Sequence, residues 1–139
     1  MSANALGNYP VLDLTFKNYG VTDIAAGVGV LADTAHLGDE SNAPGIVVPT
    51  ASGGIVGTLG VTVTPIPAGG TGRVRLAGVS TCIADGTVTF GTAVQISDTA
   101  SHLGQVKTCG AGLVQLGIAV TGATDGLPVN ILHSIARNA

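Results

Sequence analysis

A run of polar residues between Asp33 and Ser41 comes nearest to an active site in residue type. It contains Asp33, His36, Asp39, Glu40 and Ser41, from which a Ser/His/acid triad or a metal site can be drawn. Triads are normally assembled from distant segments, and the chain has no Gly-x-Ser-x-Gly motif. We therefore interpret the run as a solvated acidic loop, and a small hydrolase is the less favoured alternative.

The stretch AGGTG at residues 68–72 is the best candidate for an anion-binding loop, because consecutive glycines can aim backbone amides at a phosphate. A P-loop also needs a Lys and a Ser or Thr at the start of a helix. Here Gly72 leads instead into Arg73 and Val74 of a strand-like segment. The stretch is therefore interpreted as a hairpin turn.

The cysteines and the two later histidines have no neighbours at metal-ligand spacing. Cys82 and Cys109 lie in separate strand-like stretches without a Cys-x-x-Cys motif, so we expect free, buried thiols and keep a disulfide between them as the alternative. His102 and His133 stand alone in sequence, and we expect them at the surface or in an interface. The sequence predicts no catalytic residue, no metal and no cofactor.

Charged residues make up only 9% of the chain, against about 25% in typical soluble domains. A free monomer normally covers itself with mixed charges, so this deficit indicates that much of the surface faces another protein. The net charge of −3 provides no basic stripe for nucleic acid. Arg73 and Arg75 project from one strand face, and we expect them in an interface, bound to a partner's carboxylates.

The segments that position these residues are predicted to be strands. Glycine supplies 22 residues, and Val and Thr recur in short segments bounded by turn residues. We predict strands near residues 11–16, 28–32, 45–50 and 58–66, and then in GRVRLAGVST, TVTF, TAVQIS, QVKT, LVQLGIAVT and LPVNILHS. This pattern predicts an all-β sandwich or small barrel of about 8–10 strands. At most one short helix is expected, at residues 22–26, and no repeat of 20–50 residues is apparent.

The chain divides into a flexible N-terminal arm, residues 1–10, and a single β-rich domain, residues 11–139. We expect Asn8, Tyr9 and Pro10 of the arm to contribute to an interface, since such an arm can order on a partner. No signal peptide and no apolar run of about 18 residues is apparent, so we expect synthesis in the cytoplasm and no membrane partner.

The segments 65–108 and 116–132 resemble the capsid decoration, or cement, proteins of tailed bacteriophages. The shared pattern is a Gly-x-Val-x-Leu-x-Gly strand, an acidic-Gly turn, a Gly-x-x-Val strand entry, a Gly-x-Ala strand and a final Asp-Gly hairpin. In this chain those motifs are Gly72–Gly78, Asp85–Gly86, Gly91–Val94, Gly117–Ala119 and Asp125–Gly126. The resemblance is good over the second half of the chain and only general before it.

The resemblance implies a β-rich subunit that binds the outer capsid surface of the virion and reinforces the major capsid protein. It implies self-association, with a homotrimer favoured over a dimer, and carries over no catalytic residue. The alternative is a carbohydrate- or receptor-binding module of a virion spike or fibre. Sugar sites usually stack on aromatic rings, and only Tyr9, Phe16, Tyr19 and Phe90 are available.

Overall fold

The computed structural model describes residues 11–38 and 42–133, which form ten strands and no helix. The strands are β1 (Leu12–Lys17), β2 (Gly29–Ala32), β3 (Ile46–Val47), β4 (Thr58–Thr62), β5 (Thr71–Ala77), β6 (Val79–Ile83), β7 (Ala93–Ile96), β8 (Val106–Thr108), β9 (Gly117–Ala119) and β10 (Pro128–His133). The predicted all-β fold is confirmed. The short helix allowed at residues 22–26 does not form, because Ile24 lies extended and bridges to Ile66.

The strands form two antiparallel five-stranded sheets, ordered β1-β5-β4-β2-β3 and β6-β10-β9-β7-β8. The sheets pack as a sandwich and do not close into a barrel. The segment GRVRLAGVST, predicted as one strand, is split at Gly78, whose φ of 103° favours glycine. At Gly78 the chain passes from the first sheet to the second. Leu12 lies opposite Ala77, and His133 N donates to Gly78 O, so both ends of the described chain lie beside this crossover.

A core of aliphatic side chains joins the two sheets. Leu31, Ile55 and Val61 from the first half pack into a cluster otherwise supplied by the second half. The second-half members are Cys82, Ala84, Val88, Val94, Ile96, Val106, Leu116, Ala119, Val129 and Ile131. Close approach of the sheets needs glycine, because a Cβ on Gly29 would lie 2.8 Å from Ile96 Cγ1.

The opposite face of the first sheet has a core of its own, closed by the connecting segments. Its buried members are Phe16, Ile24, Val30, Ile46, Ile66 and Val74. The neighbours Val30 and Leu31 point into different cores, and both are buried. The middle of the first sheet is therefore covered on both faces, whereas its edge strand β1 is largely exposed.

The two halves of the chain repeat one topology. In each sheet the first strand of the half pairs with its fifth, and the fourth, second and third follow in order. The bridges also correspond. An antiparallel bridge joins Ile24 to Ile66 in the first half and Val88 to Ala123 in the second. The stretch TVTF, predicted as a strand, contributes only this second bridge, so that prediction was wrong.

The repeat has a trace in the sequence. LGVTVT at residues 59–64 matches LGIAVT at residues 116–121, 57 positions later. Gly60 and Gly117 occupy equivalent places, and a Cβ at either would overlap a backbone carbonyl, that of Arg75 or of Leu132. The spacing of 57 residues exceeds the 20–50 residues typical of repeat proteins, so the repeat is not apparent at those periods.

We expect Gly60→Ala to destabilise the fold severely, because the new methyl group meets the Arg75 carbonyl rather than a movable side chain. Overpacking of this kind costs about 1–3 kcal/mol or more. Urea unfolding followed by circular dichroism measures the loss. Gly122→Ala is the matched control, since its Cβ would lie 3.5 Å from the nearest atom and its stability should be nearly unchanged. Equal midpoints for the two variants would contradict the close-approach argument.

Candidate functional site

The predicted residues Arg73 and Arg75 lie on β5 beside Asp13 of the edge strand β1. Arg75 binds the Asp13 carboxylate in a bidentate manner, with Nε 2.8 Å from Oδ1 and Nη2 3.0 Å from Oδ2. Arg75 Nη1 also donates to Val79 O at 2.9 Å, which ties the first sheet to the first strand of the second. Arg73 is more exposed, and its Nη1 lies 3.9 Å from Asp13 Oδ2.

This pair is largely an internal contact of the fold. The hydrogen bond from Arg75 lowers the pKa of Asp13, against the opposing effect of burial, and the charges of Arg75 and Arg73 add to the lowering. An interface role for Arg73 and Arg75 stays a prediction. Asn8, Tyr9 and Pro10, the other predicted interface residues, lie outside the described residues.

The polar run after Asp33 is described only in part, because Asp39, Glu40 and Ser41 lie outside the described residues. His36 Nδ1 is 2.7 Å from Asp33 Oδ2, and the His36 ring stacks on Tyr19 with centroids 4.0 Å apart. Burial would raise the pKa of Asp33, but hydrogen bonds from His36 and the Ala35 amide lower it. These contacts hold the loop in place, and the described partners of the His36 ring are Asp33 and Tyr19.

The glycine-rich stretch at residues 68–72 is a turn, as predicted, that leads into β5. Its amides are already bonded within the fold. Ala68 N donates to Asp23 Oδ1, Gly69 N to Asn18 O and Gly70 N to Pro67 O. An incoming phosphate would have to displace these bonds, so the hairpin-turn interpretation holds.

The two thiols are free, as predicted, but only Cys82 is buried, and the predicted burial of Cys109 was wrong because it lies partly exposed after an edge strand. Cys82 lies on β6 and Cys109 follows β8, and these strands are the opposite edges of the second sheet. Four strand spacings of about 4.8 Å separate them, so the alternative disulfide is excluded. Burial raises the pKa of Cys82 to about 12, which makes it an inert core residue rather than a nucleophile.

The histidines differ from their sequence interpretation. His133 is buried, not at the surface, because it points inward from β10 and its Nε2 lies 2.7 Å from Ser80 Oγ. His102 does not stand alone. The turns of the second half bring it together with Asp85 and Asp125, so that one ligand atom of each lies within 4.8 Å of the others. Asp85, His102 and Asp125 come from distant segments of the chain, so their spacing in the sequence cannot reveal that they meet.

The surface feature that sequence reasoning missed is an uncharged apolar face on the second sheet. We define the apolar face as Val79 and Ile83 of β6, Ile118 of β9, and Pro128 and Leu132 of β10. Strand register places Leu132 opposite both Val79 and Ile118, and Pro128 opposite Ile83. Each of these side chains is exposed, although alternating neighbours on the same strands fill the core.

Charges are scarce everywhere on the described surface. Residues 11–38 and 42–133 contain four Lys or Arg and six Asp residues, against fourteen large hydrophobic side chains that are exposed. Several of the charges are bound to each other, including Asp13 with Arg75 and Asp98 with Lys107. Strands β6, β9 and β10 contain no Lys, Arg, Asp or Glu. An uncharged face of this kind is typical of a protein contact surface.

Comparison with known proteins gives a fold and no family. No family model and no curated protein sequence matches the chain. Among solved structures, the chain is similar to the N base of the head fiber protein gp8.5 of bacteriophage phi29. The TM-score is 0.62 at 15% sequence identity, and the match covers 92% of this chain and 98% of that chain. The two proteins share a fold over nearly their whole lengths.

Within residues 11–38 and 42–133, no helix is long and apolar enough to cross a membrane.

We expect Asp13→Asn to lower the free energy of unfolding at neutral pH by about 1–2 kcal/mol, since a charge-assisted pair is lost. The pKa of Asp13 is lowered in the folded state, so its stabilisation is fully present above the unfolded pKa of about 3.9 and is lost as the pH falls from there through the lower folded pKa. The difference between wild type and variant should therefore shrink between pH 6 and pH 3.

Chemical denaturation at several pH values measures this difference. Asp23→Asn is the control, because Asp23 is exposed and accepts only the Ala68 amide. A wild-type advantage over Asp13→Asn that persists undiminished at pH 3 would show that the carboxylate charge is not what stabilises the strand pair.

Proposed function

We propose that this protein is a structural subunit of a bacteriophage head, which binds the outer surface of the capsid shell and stabilises the major capsid protein. The observation that carries the proposal is the shared fold with the N base of a phage head fiber over 92% of this chain. The exposed apolar surface supports it independently, because it needs neighbouring protein to cover it. No catalytic step is part of the proposal.

The physical basis of such a role is repetition. A capsid shell presents the same binding surface many times. When the bound subunits also bind one another, the modest apolar contacts of each subunit add up to a high overall affinity for the shell. The Gly-x-Val-x-Leu-x-Gly strand and the later motifs shared with decoration proteins support a decoration role. We expect a homo-oligomer, with a trimer favoured.

A second candidate is the base of a fibre that stands on the head, and the similarity to the N base of a phage head fiber favours it. In that case the protein binds the shell with one end and carries a further protein at the other. In both candidates the protein lies on the phage head. They differ in whether a further protein is attached to its outer end. Electron microscopy of the assembled particle separates them, since a fibre base projects further density outward.

A carbohydrate-binding module is disfavoured by the aromatic residues. Phe16 is buried in the core on the face of the first sheet that points away from the second sheet. Tyr19 already stacks on His36, and Lys17 lies over the Tyr19 ring. Among residues 11–38 and 42–133, Phe90 is the one aromatic residue that is mostly exposed, at 70%, whereas sugar platforms usually need several rings. A glycan array should therefore give no binding.

We expect purified protein to decorate undecorated, expanded phage heads, with ordered density at symmetry-related positions in cryo-electron microscopy. Deletion of residues 2–10 should reduce occupancy on the shell while the thermal unfolding midpoint stays unchanged. The control is Val21→Asp in the full-length chain, because Val21 is 96% exposed in the first half and tolerates a charge. Absence of density on heads would refute the proposed function. Full occupancy after the deletion would show that residues 2–10 do not contribute to binding the shell.

A further inference from the structure

The repeat makes it possible to compare the apolar face with the same face in the first half. Across β4, β5 and β1, Val61 lies opposite Arg75, and Arg75 lies opposite Asp13. Across β9, β10 and β6, Ile118 lies opposite Leu132, and Leu132 lies opposite Val79. Val61 and Ile118 are equivalent residues of LGVTVT and LGIAVT. Each half therefore presents one row of three side chains on this face.

The row in the first half is covered by the rest of the chain. Val61 is 1% exposed and belongs to the core cluster that the second half supplies. Arg75 and Asp13 complete the row as a salt bridge, and Arg75 reaches the Val79 carbonyl of the second half. In the first half this face is therefore closed within the chain by the core side of the second half.

The row in the second half is bare and entirely apolar. Ile118, Leu132 and Val79 are 41%, 39% and 37% exposed. No third unit follows in the described chain to cover them. The apolar face has also lost the charges that its equivalent carries, because Leu132 and Val79 stand where the first half has Arg75 and Asp13.

The lack of charge favours a second copy as the occupant. When a charged face meets its own copy, like charges approach one another and oppose the contact, unless the charges alternate in register. A face without Lys, Arg, Asp or Glu carries no such cost. The central Thr81 and Asn130 are bonded to each other, with Thr81 Oγ1 donating to Asn130 Oδ1 at 2.7 Å, which lowers the polar surface that a partner must desolvate.

We propose that the apolar face is the self-association surface of this protein, where it packs against the same face of a second copy. This deepens the self-association part of the proposed function and names its surface. The core of the contact is the row Ile118, Leu132 and Val79, with Ile83 and Pro128 beside it.

The experiment is sedimentation velocity of the full-length protein in the absence of phage heads, over a wide range of concentrations. Wild type should form an oligomer, and Ile118→Asp should raise the dissociation constant at least about tenfold, because it places a charge at the centre of the contact. Val21→Asp, with the same change of charge at a first-half site, should associate like wild type. Circular dichroism should show that both variants keep the fold.

A second measurement uses unaltered protein and so does not depend on the folding of a variant. On dilution, methyl resonances of Ile83, Ile118 and Leu132 should shift, and those of Val21 should not. A wild type that stays monomeric at all concentrations, or an Ile118→Asp variant that associates as tightly as wild type, would overturn the proposal. Monomeric protein that still decorates heads would overturn this inference and leave the proposed function standing.

Discussion

Val, Ile, Leu and Ala fill both cores with a single phenylalanine and no tryptophan, so the sheets stabilise each other only at short separation. Dispersion contacts between such side chains fall off steeply with distance, and every close approach then needs a residue without a side chain. Gly29 opposite Ile96, and Gly60 beneath the Arg75 carbonyl, meet this need. The high glycine content is thus a condition of packing as well as of turns.

The small number of charges is understandable in the same terms. A carboxylate and a guanidinium that bind each other hold two strands together, and the contact between Asp13 and Arg75 also connects the two halves through Val79. Charges used in this way are not available to keep the surface solvated. The fold therefore stabilises itself with groups that most domains place in water, while the exposed face of β6, β9 and β10 carries no charge.

Strand content could be predicted from sequence because β-branched residues between turn formers have few other conformations open to them. The break at Gly78 could not be predicted from sequence, since a glycine in an alternating segment is compatible with either a continuous strand or a crossover between sheets. The exposure of Ile118 could not either. The matching Val61 has the same local sequence and is buried, and only the packing of the halves distinguishes them.

The crossover at Gly78 has a consequence for how the domain is connected to anything else. The start of β1 lies opposite Ala77, and the last residue of β10 bonds to Gly78 itself, so entry and exit of the chain share one corner. A tag, linker or partner domain joined directly before residue 11 or after residue 133 would leave from the same place and keep clear of much of the remaining surface. The same proximity makes the domain a suitable scaffold for circular permutation, with old ends joined by a short linker and new ones opened in an exposed turn.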